Sequence, residues 1–184
     1  MLRRSVVALV AALSCTVFAM PSESQAAGKI GVANPMRLST QSAPGKDAEK
    51  LLKSMFDSER KQLESANASL NKQAEELRKQ AGALKKEVVQ ERAQKIQKQA
   101  QEIDTKGSAY AQRLQRVQQE INNQMNEVLQ KACANYASKN GYEMIVDATV
   151  VMFFDVSNDV TEGLIEEVNK IWKDKGGKFK ITSK

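Results

Sequence analysis

The apolar positions along this chain change rhythm three times. Residues 6–20 are apolar almost without a break. Further on, Phe56, Leu63, Leu70, Leu77 and Leu84 fall seven apart, with Ala66, Ala74 and Ala81 close beside them. Then Val89, Ala93, Ile96, Ala100, Ile103, Gly107, Tyr110, Leu114, Val117 and Ile121 alternate spacings of four and three. Met125, Val128, Ala132 and Tyr136 carry that stripe onward with a small drift. After Gly141 the pattern collapses into the dense run "YEMIVDATVVMFFD", residues 142–155.

The middle rhythm is the 3.5-residue repeat of a coiled-coil seam. From Asp47 to Lys139 there is no proline, and glycine occurs only at 82 and 107. The two seams differ in size: the first is led by leucines, and the second sets Ala93, Ala100 and Gly107 between large residues. Large side chains facing small ones let two helices approach closely. The pattern predicts an antiparallel helical hairpin, an arm over 46–139. Its tip is expected near 79–87, with Gly82 taking a positive φ. The competing reading is one straight helix in a parallel coiled coil. The change of seam near Gly82 favours the hairpin.

The flanks read as a small β-rich body built from 27–45 and 140–184. "KIGVAN" is a strand between Gly28 and Pro35, "PMRLSTQ" a short helix, and "SAPGK" a break. Asn140 and Gly141 stop the long helix. "YEMIV" and "TVVMFF" are two strands joined by "DA". Asp159 with Glu162 is a capping box. It opens a last helix with Leu164, Ile165, Val168, Ile171 and Trp172 on one face, ending about Lys175. The tail "KFKITSK" alternates apolar and polar residues, and both an added strand and a disordered end fit it. A hairpin returns to its start, so 142–155 comes to lie beside "KIGVAN". A sheet this short buries little apolar surface in one copy. Ile30, Val32, Ile145, Val146, Val150 and Met152 are therefore expected to line an interface between copies.

Composition changes the picture in four places. Arg3 and Arg4, the apolar run, and Ser24 and Ala26 before Ala27 have the layout of a secretory signal peptide over 1–26. An uncleaved anchor is the alternative, and the run is short for a span of about 20 residues. Cleavage would leave one cysteine, Cys133, on an apolar helix face, a small hydrophobe rather than a reactive thiol. Arg78, Lys79, Lys85, Lys86, Arg92, Lys95 and Lys98 stand against only Glu87 and Glu91, which makes a basic arm tip. Such a tip steers acidic partners or touches anionic membrane or lipopolysaccharide. The plainer reading is a solvated surface that keeps arms apart by repulsion.

The chain has no histidine at all. It also has no Gly-rich phosphate loop and no Cys/His cluster, so no enzyme and no cofactor or metal is expected. The basic balance does not read as nucleic-acid binding, because no aromatic interrupts the sequence between Phe56 and Tyr110. Narrow seams make marginally rigid arms. Apolar atoms beside the seam, at Leu52, Met55, Val88 and Met125, are the candidate contacts for a binding partner.

The order "SQA", "AGKIGVAN", a helical hairpin of some ninety residues, "YEMIVDA" and "NDVTEGLIEEV" resembles the Skp (OmpH-like) periplasmic chaperone family over essentially the whole chain after the signal. That resemblance implies a homotrimer with a β-rich body and three helical arms around a cavity. It implies an ATP-independent periplasmic holdase that binds unfolded outer-membrane proteins. A structural spacer or adaptor docking a fixed partner is the alternative. "WKDKGGKFKITSK" departs from the family, which typically stops near the end of the last helix.

Overall fold

The computed structural model of the chain describes residues 28–182. The expected signal segment, 1–26, lies outside them, as do Ser183 and Lys184. The described chain runs β1 (Lys29–Ala33), α1 (Pro35–Gln41), α2 (Ala43–Gln80), α3 (Lys86–Asn140), β2 (Tyr142–Asp147) and α4 (Thr161–Asp174). It is mainly helical with a two-stranded sheet, as the seam pattern predicts.

Helices α2 and α3 form the antiparallel hairpin. They have 38 and 55 residues, so at the usual rise they are about 57 and about 80 Å long. Glu59 of α2 pairs with Arg113 of α3. Nearer the tip, Arg92 donates to Gln80 Oε1 at 2.9 Å. Helix α2 begins earlier than the "SAPGK" break suggests. Ser42 caps it by accepting from Gly45 N, and Pro44 sits in the first turn, where a missing N–H costs nothing.

The tip falls where expected, over 81–85, but not by the expected means. Gly82 does not take a positive φ. Among the described residues only Gly141, Gly176 and Gly177 do. Instead the Gln80 carbonyl accepts from both Ala83 N and Leu84 N, at 3.0 and 3.2 Å. Lys85 then turns extended, at φ −62 and ψ 143, before α3 starts. Leu84 is half-buried at the end of the seam, which is why the heptad runs unbroken through the turn.

The close approach expected at Ala93, Ala100 and Gly107 is also not found at its key position. A Cβ on Gly107 would meet nothing within 4 Å. An open cleft of about 430 Å³ lies nearby, beside Leu63, Ala66, Ile103 and Lys106. A methyl there costs no space and removes a glycine from a helix interior. Gly107→Ala is therefore expected to raise stability by about 1 kcal/mol, read from urea unfolding followed by circular dichroism. A loss of stability would mean that the helices close on this position in solution.

Burial grades along the arm. Phe56 and Val117 are buried at the root, while Leu63, Leu70, Leu77 and Leu84 are only half-covered. Each helix has only the other to pack on beyond the root.

The body wraps the root. β1 and β2 pair in parallel, with Val32 opposite Val146 and the hairpin as the crossover between them. On its other edge β1 takes one more bond, Val160 N to Val32 O at 2.9 Å. Ala33, Leu38, Val160, Leu164 and Ile165 form one core. Val128 and Ala132 of α3 with Val168 and Trp172 of α4 form a second. Trp172 Nε1 donates to Asp47 Oδ2 at 2.8 Å, which ties α4 to the start of α2.

Three local expectations are corrected. "TVVMFF" is not a strand: residues 148–150 make a 3-10 turn and 151–155 are irregular. The side chains of Asp147 and Asp155 accept from Thr149 N and Ser157 N, two residues on, and close turns at both ends. There is no capping box either. Asp159 accepts from Thr161 N, whereas Glu162 leaves the helix end and pairs with Arg37. Residues 178–182 of the tail are not an added strand and lie along the arm root, with Phe179 and Ile181 packed there.

Candidate functional site

Among the described residues, seven large apolar ones are markedly exposed: Ile30, Met36, Met144, Val150, Met152, Phe153 and Val156. Six of the seven lie on the two strands or in the loop that follows them. Ile30 stands opposite Met144 in the ladder. The loop holds Val150, Met152, Phe153 and Val156 outward at 77, 105, 86 and 84% exposure. Lone exposed apolar residues are common, but six of them on two paired strands and the loop that follows make a candidate interaction surface.

The predicted interface set divides within this body. Ile30, Val150 and Met152 belong to the exposed patch. Ile145 and Val146 are half-buried, with Ile145 packed on the chain's own core. Val32 is 3% exposed, already covered by its own chain. Sequence reasoning passed over Met36, Met144, Phe153 and Val156. For Phe153 the signal was available in "VVMFFD", where a strand assignment would have turned half of the side chains inward.

Along the arm the candidate client contacts scatter. Leu52, Met55 and Met125 are half-buried against the root core. Val88 is half-buried near the tip. Met55 lines the open cleft with Leu63, Ala66 and Ile103. Met125 lines a separate cleft of about 310 Å³ with Leu38, Leu129 and Val168. The basic residues do gather: Arg78, Lys79, Lys85, Lys86, Arg92, Lys95 and Lys98 are all exposed around the tip. Lys79 pairs with Glu75 at 3.0 Å and Arg92 with Gln80. The rest of the tip charge faces water.

Among the described residues no cluster of acidic, Cys or His side chains could hold a metal, and no helix is long and apolar enough to cross a membrane. Cys133 is half-buried against the body core, and burial pushes its thiol pKa up. That is the setting of an inert thiol.

The body's polar knot is expected to weaken in acid. Asp159 accepts from Thr161, and the Arg37 guanidinium lies 3.7 Å away. The Thr161 hydrogen bond, aided by Arg37, holds the Asp159 carboxyl below its usual range. A depressed carboxylate contributes stability above the unfolded pKa and loses it as pH falls through the folded value. Urea midpoints are therefore expected to fall below about pH 4. Asp159→Asn should lower the pH 7 midpoint and flatten that decline. Parallel pH profiles for the two proteins would refute the assignment.

Comparison with known proteins gives one consistent answer. A family model described as outer membrane protein (OmpH-like) matches residues 29–168. The Skp chaperone protein of Yersinia enterocolitica is 26% identical over 147 residues, covering 80% of this chain and 90% of that one. The Skp of Pectobacterium atrosepticum is 26% identical over 152 residues, covering 83% and 92%. An OmpH-like crystal structure from Caulobacter crescentus superposes with a TM-score of 0.60 at 15% identity, over 84% of this chain and 91% of that one. That structure supports the fold, and the family match rests on β1, the hairpin arm and most of α4. The chain belongs to the OmpH-like family.

Proposed function

We propose that this protein is an ATP-independent holdase of the periplasm that keeps unfolded outer-membrane β-barrel proteins from aggregating. The observation that carries the reading is the half-covered seam of the arm. Two helices share a narrow apolar stripe that neither fully buries, so apolar atoms stay available along a long flexible surface. Each contact with a client is weak, and several arms around one client multiply them. Kinship with proteins described as Skp chaperones supports this reading.

Several arms require several chains. In the proposed assembly, a homotrimer, the exposed body patch is the contact between copies. Ile30, Val150 and Met152 line it, Ile145 and Val146 border it, and Val32 backs it from within. The arms then surround a cavity, and Leu52, Met55, Val88 and Met125 offer client contacts beside the seam. The basic tips form a positive rim that steers acidic client segments and rests against anionic lipid or lipopolysaccharide.

The test is dilution of a urea-unfolded outer-membrane β-barrel protein with and without this protein. Suppressed light scattering, together with a soluble complex of three chains and one client, is expected. Unchanged aggregation at a threefold excess would remove the reading. Repeating the capture in high salt tests the rim: loss of capture rate supports it, and an unchanged rate removes it.

A further inference from the structure

The tail beyond α4 is seated as a ligand is seated. Gly176 and Gly177, both at positive φ, reverse the chain at the helix end. Residues 178–182 then run extended along the arm root with strict alternation. Phe179 and Ile181 face the protein, whereas Lys178, Lys180 and Thr182 face water. The Phe179 ring lies 4.5 Å from that of Trp172. Ile181 packs on the cluster containing Phe56, Val117 and Ile121.

The backbone is held by a side chain that reads no sequence. Gln124 Nε2 donates to the Lys180 carbonyl at 2.8 Å, and Lys180 N donates to Gln124 Oε1 at 3.0 Å. One primary amide thus makes both hydrogen bonds that a neighbouring strand would make to that residue. Thr182 N donates to Glu120 Oε2 at 2.7 Å. Backbone bonds supply affinity for any extended chain, and the places taken by Phe179 and Ile181 select apolar side chains two residues apart.

We propose that the arm root carries a binding groove for extended peptide segments with apolar residues at i and i+2, occupied in cis by residues 178–182. Membrane-spanning β-strands have this alternation, so, resting on the holdase reading above, the occupant in trans is an unfolded β-barrel strand. The tethered tail competes from a high effective concentration and covers the groove until a client displaces it.

The probe is the labelled tail peptide GGKFKITSK, and the control is GGKKFITSK, of equal composition with its apolar residues adjacent. A chain ending at Gly177 is expected to bind the probe at least tenfold more tightly than the full chain, by fluorescence anisotropy. The control should bind at least tenfold more weakly, and Gln124→Ala in the shortened chain should weaken the probe by about tenfold. If the shortened chain loses helical circular dichroism, the full-length Phe179→Ser, Ile181→Ser variant opens the same groove and should show the same gain. Equal binding with and without the tail, or equal binding of both peptides, overturns the proposal. An unfolded β-barrel protein should also displace the probe. Failure of the full chain to suppress aggregation would remove the holdase reading, and the two-peptide result would still decide the groove.

Discussion

Aspartate at Val150 and Met152 is expected to convert the assembly to single chains and leave the arms helical. Both side chains are almost wholly exposed in one chain, so the substitutions remove no contact within the chain. In the proposed trimer each would be covered by a neighbouring copy. Burying a side chain of this size contributes about 2 kcal/mol, so two of them account for about 4 kcal/mol per interface. That is about a thousandfold in dissociation constant, before the cost of burying two carboxylates without partners. Mass by light scattering should fall to that of one chain, with the helical circular dichroism signal unchanged. Client capture should fall with it, because a lone arm loses the multiplied contacts. An unchanged mass would place the interface elsewhere on the body.

Truncating Phe56 to alanine should produce the largest loss of stability within one chain. Its ring is 3% exposed and meets Tyr110 edge-on at a centroid distance of 5.7 Å. The Arg113 guanidinium lies 5.0 Å from the same ring and pairs with Glu59. Val117 and Ile121 complete the cluster. Removing a buried phenylalanine costs about 3–5 kcal/mol. Leu77→Ala, at a half-covered seam position near the tip, should cost about 1 kcal/mol, in line with its smaller burial. Urea unfolding of the two variants measures the gradient directly. Equal losses would mean that the distal seam is as well covered in solution as the root, and the argument for an adaptable arm would fail.

These two variants act at opposite ends of what the sequence makes legible. The arm could be read because heptad spacing is local: Phe56 to Leu84 and Val89 to Ile121 declare their helices without knowledge of anything distant. The end of α3 was equally clear, since Asn140 and Gly141 carry their own stop signal, with Gly141 at φ 69. The basic tip followed directly once the hairpin was recognised. "TVVMFF" was misread because β-propensity describes a pleated surface only where a partner strand exists. Within one chain that partner is missing, and two aspartates claim the backbone instead. Glu162 was misread for a similar reason. Three-residue spacing suggested a local cap, but Arg37, 125 positions away in sequence, holds it.

By itself the sequence determined the long helices, the arm they form and the place of its tip, since these depend on periodicities and stop signals a few residues long. It also limited the chemistry, because a chain without histidine and with so few cysteines offers little for catalysis. Only the tertiary structure decided which apolar residues are spent. Val32 and Val150 look alike in sequence, yet one is covered by Val160 and its surroundings and the other stands in solvent. The tail shows the same dependence. Phe179 and Ile181 alternate in a way that fits a strand or a loose end. Their place on the arm root is set by Trp172, brought round by the Gly176–Gly177 reversal, and by Gln124, which lies nearby because α4 packs back on α3. Burial is a property of what surrounds a residue, and that surrounding is assembled from segments distant in sequence.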